Sequence, residues 1–296
     1  MRRTIAIVVA IVIALLPFVL PAYQLTLMNF IGLASLVAIG LVLITGIAGL
    51  TSFGQAAFVG MGAYATAWAT LSLGLSPWLS IVFSLLVAGV AALVIGLLTL
   101  RLSGHYLPLS TIAWSLSLFF LVGNIPTLGG HNGIPDIPGL HLFGERLTGA
   151  GYTLLIWIFV GLAFVSVANL LGSRTGRAVR CLRGRGIMLE AFGVNTARLK
   201  IAIFVHAALL AAISGWLYAH LLQFIAPTPF GLNASIEYLF MAVIGGVSNL
   251  WGAILGSAIL IAIRDGLQDL IPGLLGSGGA AESIVFGIVM VLILQR

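Results

Sequence analysis

Runs of about twenty apolar residues, each matching the thickness of a bilayer core as one helix, follow one another through almost the whole chain. The charge is gathered elsewhere, chiefly in residues 173–200. That stretch carries Arg174, Arg177, Arg180, Arg183, Arg185, Arg198 and Lys200 against one acid, Glu190, and so holds the +6 net charge of the entire chain. Soluble domains have about 25% charged residues, whereas here 7% are charged and 61% hydrophobic. The pattern excludes a soluble core. It predicts a polytopic membrane protein whose basic stretch is a cytoplasmic loop, because Lys and Arg resist translocation.

Ten candidate segments, some interrupted, run at 4–22, 25–45, 53–73, 77–100, 105–123, 151–171, 199–222, 234–248, 251–270 and 281–296. The expected fold is therefore all-α, a polytopic membrane protein of about ten transmembrane or half-spanning helices. A charged start ahead of an apolar run also fits a signal peptide, but Pro17, Pro21 and Tyr23 favour a first spanning helix. Starting inside and alternating, the segments put Arg2, Arg3, Arg101, the basic stretch and Arg296 on the cytoplasmic face, which is eleven of the thirteen basic residues. Both termini are then cytoplasmic. Arg146 and Arg264, with Asp136, Glu145, Asp265, Asp269 and Glu282, fall outside or near the outer face.

Residues 124–150 form an outer loop whose Gly129, Gly130, Gly133, Pro135, Pro138, Gly139 and Gly144 make it turn-rich. Two glycine-rich segments, Gly46 to Tyr64 and Gly245 to Gly256, share a texture and align with a one-residue gap, as an internal repeat would. Paired interrupted segments of this kind point to a transport pathway. Ser52, Gln55, Ser248 and Asn249 beside the glycines either line a polar route or make interhelical hydrogen bonds. The Gly252 and Gly256 pair reads as helix packing.

Glu237 is the one acid well inside an apolar segment. With Asn233 capping the helix after Pro227 and Pro229, it lies in the first turns, where the helix dipole favours an anion; a pathway role is the alternative. No P-loop, H-E-x-x-H or G-x-S-x-G motif occurs, the five histidines are scattered without metal-ligand spacing, and Cys181 is the single cysteine. No catalytic residue, metal site or nucleic-acid motif is predicted.

The stretches Gly49-Leu50-Thr51-Ser52-Phe53-Gly54-Gln55-Ala56-Ala57-Phe58, Arg101-Leu102-Ser103-Gly104-His105-Tyr106 and Gly129-Gly130-His131-Asn132-Gly133-Ile134 resemble the permease subunits of branched-chain amino acid ABC importers. So do Gly176 through Asn195 and Ile244 through Gly252, in the same order. The outer loop looks more like the longer of the two permease types, while His105 and Asn249 depart from the family pattern. The resemblance implies a single permease domain over 1–296 in a bacterial inner membrane. Its implied partners are a second homologous permease, two cytoplasmic ATPases that hold ATP and Mg, a periplasmic solute-binding protein and membrane lipid. Solute would cross by alternating access, with no cofactor in this chain.

By that resemblance Glu190, Ala191 and Gly193 fall in a coupling segment within the loop 173–197. The residues themselves agree, since Arg174, Arg177, Arg180 and Arg183 form a basic stripe on a helix while Val179, Leu182, Ile187, Leu189 and Phe192 supply apolar contacts for an ATPase groove. Topology and anionic lipid explain the arginines otherwise. The same machine carrying urea, short amides or aromatic acids is the alternative substrate reading, and an ion-coupled secondary carrier the alternative of another class. The last segment, from Ser283 to Arg296, is short for a span, so a longer natural polypeptide, with a further domain such as an ATPase, is expected to follow.

Overall fold

A computed structural model of the chain describes residues 16–18, 20–100, 106–142, 144–275 and 287. The helices are α1 (Ala22–Leu41), α2 (Gln55–Leu71), α3 (Ser80–Thr99), α4 (Tyr106–Asn124), α5 (Gly149–Gly172), α6 (Arg174–Ala191), α7 (Thr196–Leu222), α8 (Leu232–Ile244) and α9 (Leu250–Leu275). A π-helical turn, Val42–Ile47, extends α1. The sole sheet among the described residues is a two-stranded hairpin, β1 (His141–Leu142) and β2 (Glu145–Arg146). The architecture is an all-α, multi-pass membrane fold.

Among the described residues six helices are long and apolar enough to cross a bilayer: Ala22–Ile47, Ser80–Thr99, Tyr106–Asn124, Gly149–Gly172, Thr196–Leu222 and Leu250–Leu267. The expectation of ten is reduced accordingly. α2 has 17 residues and α8 only 13, because glycine-rich turns at 48–54 and 245–249 cut the apolar runs that contain them. The 281–296 segment apart from residue 287, all but the end of 4–22, and Arg2, Arg3, Arg101, His105, Glu282 and Arg296 lie outside the described residues.

Apolar helices gain little by leaving lipid, so their association rests on close packing of small residues. α1 and α7 are the most enclosed spans. A methyl group on Gly62 would meet the Ala212 backbone, and one on Gly215 would meet the Val59 carbonyl and lie 2.8 Å from Ala63 N. Gly40 likewise sits against Ala207. Hydrogen bonds reinforce these seams: Ser214 Oγ donates to Leu33 O at 2.9 Å, Ser84 Oγ to Gly62 O at 3.1 Å and Tyr152 Oη to Leu217 O at 2.6 Å. Lipid-facing surfaces are plain by contrast, as in the exposed Val82, Leu86, Val90, Leu93 and Leu97 of α3.

One end of the bundle carries α6 and the other carries loop 125–148. The loop folds into two 3-10 turns, the hairpin, and a bridge between Ile134 and Ile225. It inserts Ile137 and Leu140, both buried, into the core. His220 Nδ1 lies 2.7 Å from Pro138 O, while Trp216 Nε1 donates to Pro77 O and Ser80 Oγ. The loop is thus tied to α7, and α7 in turn to the start of α3.

Replacing Gly215 with Val is expected to lower the melting temperature in detergent, with an overpacking penalty of about 1–3 kcal/mol. Gly161→Ala, where the added methyl meets nothing within 4 Å, leaves it unchanged. Equal melting of the two variants contradicts this packing account.

Candidate functional site

Two places in the bundle combine broken helices with polar groups. The first is the start of α2. The four leading N–H groups of a helix have no partner within it, and inside a membrane they need one from elsewhere. Here Ala56 N–H donates to Ser235 Oγ of α8 at 3.1 Å, and just ahead of the helix Phe53 N–H donates to Thr111 Oγ1 of α4 at 3.1 Å. Ser52 is buried with its Oγ 3.5 Å from Gly54 N. Gln55 is 0% exposed, and among the described residues neither Oε1 nor Nε2 has a hydrogen-bond partner. A narrow, almost wholly apolar cleft opens beside this start, between Gly54, Phe58, Ile95, Trp114 and Phe204.

α8 continues from the same contact. Its N-cap is Gly231, without a side-chain cap, so Asn233 lies inside the helix instead of capping it. Glu237 pairs with Arg264 of α9, Nη1 to Oε2 at 3.2 Å, the one ion pair among the described residues. Arg264, expected outside or near the outer face, lies three residues from the Leu267 end of the α9 span. The rule that singled out Glu237, a charge inside an apolar run, also applies to Arg264 and would have found it. Asp265 beside it accepts a hydrogen bond from Tyr23 Oη.

Ser248 and Asn249 do not join this group. They are exposed at the far end of α8, about 14 Å along the helix from Ser235 at 1.5 Å per residue. Asn249 Oδ1 accepts from Trp251 N at 3.1 Å, opening α9. Gly245 and Gly252 press backbone against backbone, and Gly256 meets the Met241 carbonyl. These are packing glycines.

The second place is α6. Ser173 caps it by accepting from Gly176 N at 3.2 Å. Val179, Leu182 and Leu189 turn inward and are buried on the bundle, so they are not free for a partner's groove as the sequence suggested. The reason is that α6 lies along α5, α7 and the π turn. Ile187's side chain lies outside what is described. Exposed instead are Arg177 and Arg180, with Met188 and Phe192 as projecting apolar groups. Gly184, midway along it, takes φ 82, an angle that suits glycine.

Arg183 reaches further. Its Nη1 donates to Gly46 O in the π turn at 3.1 Å, and its stem packs on Gly49, whose φ of 74 suits glycine. Gly46 in turn abuts the Val247 carbonyl of the α8–α9 turn. The two glycine-rich segments therefore meet, under one arginine. Glu190 accepts from Thr196 Oγ1. Ala191 ends α6, and Gly193 at φ 77 makes the turn toward α7.

The fold defines a multi-pass helical membrane protein whose discontinuous helices meet at glycine contacts. Residues 23–294 match the family described as "Branched-chain amino acid transport system / permease component", and the chain belongs to it. It is 28% identical over 259 residues to the high-affinity branched-chain amino acid transport system permease proteins LivM of Salmonella typhimurium and Escherichia coli. Those alignments cover 79% of this chain and 61% of each relative, so the chain spans under two thirds of their length. The LivH permease protein of Salmonella typhimurium is 26% identical over 245 residues, covering 76% of this chain and 79% of LivH. No solved structure matches the chain.

Ser235→Ala is expected to lower the melting temperature by leaving Ala56 N–H unpaired, a cost of about 1–3 kcal/mol. Gln55→Leu, which removes an already orphaned amide, is expected to hold or raise it. A thermal melt in detergent checks both, and strong destabilisation by Gln55→Leu contradicts the unpartnered amide.

Proposed function

We propose that this chain is the membrane permease subunit of an ATP-binding cassette importer. It forms, with a second homologous permease, the pathway for branched-chain or related small amino acids delivered by a periplasmic binding protein. Two cytoplasmic ATPases supply the energy, and this chain hydrolyses nothing. The observation that carries the reading is the family match across residues 23–294 together with an amphipathic basic helix seated on the bundle at the junction of its two broken segments.

In this proposal residues 1–296 form one permease domain in a bacterial inner membrane, with both termini and α6 cytoplasmic, loop 124–150 outward, and the ten apolar segments as full or half spans. The 46–54 and 245–249 breaks are the corresponding points of an internal repeat. Ser52, Gln55 and Glu237 belong to the pathway, and Ser248 and Asn249 border its inner end. A buried amide with no partner costs free energy in the state described here; a second state that wets Gln55 removes that cost, which favours alternating access.

Arg177, Arg180, Met188 and Phe192 make the surface that an ATPase holds, with Glu190, Ala191 and Gly193 shaping the turn back into α7. Movement of α6 is passed inward through Arg183 to the Gly46 carbonyl. The α6 docking surface and the Arg183 contact are separable. Arg177→Glu with Arg180→Glu is expected to abolish co-purification of the ATPases. Arg183→Met is expected to leave assembly intact and cut ATP-driven uptake about tenfold, the worth of one hydrogen bond from a charged donor. Equal uptake by Arg183→Met and wild type contradicts the transmission route.

The function itself is tested by uptake of radiolabelled L-leucine into proteoliposomes holding the whole complex and its binding protein. Uptake that disappears when the P-loop lysines of the ATPases are replaced supports the reading. Uptake that survives and collapses with the proton gradient instead establishes a secondary carrier.

A further inference from the structure

The first turn of α2 holds more hydrogen-bond donors than it has acceptors for. Gln55, Ala56 and Ala57 lead the helix, and of their N–H groups only that of Ala56 has a partner among the described residues, Ser235 Oγ at 3.1 Å. The cap residue, Gly54, has no side chain to offer the other two. The Gln55 side-chain amide is fully buried and adds a further donor with no partner among the described residues. At the start of a water-exposed helix such groups bond to solvent; inside a bilayer they need partners from the protein or from what passes through it.

The cleft beside this turn adds another orphan. Gly54 and Ala57 form one wall, Trp114 and Ser115 of α4 another, and Ile95 of α3 and Phe204 of α7 complete it. Ser115 is 1% exposed, and its Oγ has no hydrogen-bond partner among the described residues. A serine inside a helix commonly gives its hydroxyl to the carbonyl one turn back, as Ser35 does to Ile31 and Ser257 to Ala253. Ser115 makes no such bond to Thr111, although the Thr111 carbonyl stands close by, 3.3 Å from where a methyl on Gly54 would lie. Two backbone N–H groups, an amide and a hydroxyl are thus left to donate around one helix start. The dipole of the 17-residue helix places positive potential at the same end, and among the described residues no charged side chain lines the cleft. Donors of this kind at the start of a broken helix within a membrane suit an anionic group.

Resting on the importer reading above, we infer that the start of α2 is a carboxylate-binding site of the pathway, where the solute's carboxylate accepts from the Gln55 and Ala57 N–H groups, Gln55 Nε2 and the Ser115 hydroxyl. Uncharged donors suit a group that must leave again, because its departure breaks hydrogen bonds but no ion pair. The cleft is narrow in this state, and α4 is the element that widens it. It is the least buried of the six spans, and the bond from Phe53 N to Thr111 Oγ1 is its one hydrogen bond to the break among the described residues. An outward step of α4 opens Ser115 and the first turn of α2 to the solute, and its return closes them. The site also divides the substrate readings: amino acids and aromatic acids carry the group it binds, whereas urea and short amides do not.

The test uses the whole complex with its binding protein in proteoliposomes, reading radiolabelled L-leucine moved per ATP hydrolysed, with a thermal melt of each variant in detergent. Gln55→Leu and Ser115→Ala remove no bond that this state makes, so both are expected to melt at or above the wild-type temperature. Leucine per ATP is expected to fall about tenfold in each, as for loss of one hydrogen bond to a charged acceptor. Gln55→Glu is expected to fall below Gln55→Leu, because a fixed carboxylate in the first turn takes up the helix dipole and repels the arriving one. A pathway that needs only polar, wetted walls gives the opposite order, with Gln55→Glu above Gln55→Leu, and that order overturns the inference. Unchanged leucine per ATP in either Gln55→Leu or Ser115→Ala also overturns it, and these two decide the question where Gln55→Glu does not assemble. A wild-type complex that moves no leucine overturns the importer reading itself, and this inference with it.

Discussion

Backbone contact between α2 and α7 holds the rest of the molecule in place. In a bilayer the hydrophobic effect does not drive one apolar helix onto another, so the strength of the bundle comes from surfaces that approach to van der Waals distance and from polar groups across the seam. Gly62 on Ala212 and Gly215 on Val59 supply that approach. α2 is therefore anchored from its middle, and its first turn does not depend on the chain that leads into it. That leaves residues 48–54 free to run as a break, with the N–H groups of Phe53 and Ala56 taken by Thr111 and Ser235. The discontinuity before α2 follows from the glycine seam.

The same logic links the two ends. α6 is fastened to the bundle by its own apolar face, so its arginines are aimed elsewhere, and Arg183 crosses to the π turn where α1 ends. A π turn has looser hydrogen bonding than an α-helix and is common at functional sites. Since Gly46 also abuts Val247, α6, the π turn and the α8–α9 turn are joined at one glycine. At the opposite end the buried Ile137 and Leu140 close the bundle, and Glu237 and Arg264 lie between these two ends.

Much of this was legible in the chain, for physical reasons. Apolar runs report spans directly, so segments such as 77–100 and 199–222 reappear as α3 and α7 within a few residues. The glycine and proline spacing of 124–150 predicts turns because those residues set backbone angles locally. What stayed hidden depends on distant partners. α8 reads as a longer segment because Gly245 and Gly246 are compatible with a helix until the close approach of Gly252 is known. Val179, Leu182 and Leu189 have the right spacing for an apolar stripe, but the sequence does not say whether the stripe faces this bundle or another protein. Arg264, next to Asp265, has the look of a charge at the end of a span, and only the fold shows Glu237 opposite it, 27 residues away.

The central claim is that the basic helix and the broken segments beneath it belong to a machine driven by separate ATPases. Purification of the chain from its native membrane in mild detergent, with mass spectrometry of whatever remains bound, tests this most directly. The account predicts recovery of a second permease of the same family and P-loop ATPases in equal proportion to the permeases. Recovery of the chain by itself, active in uptake without them, would contradict it.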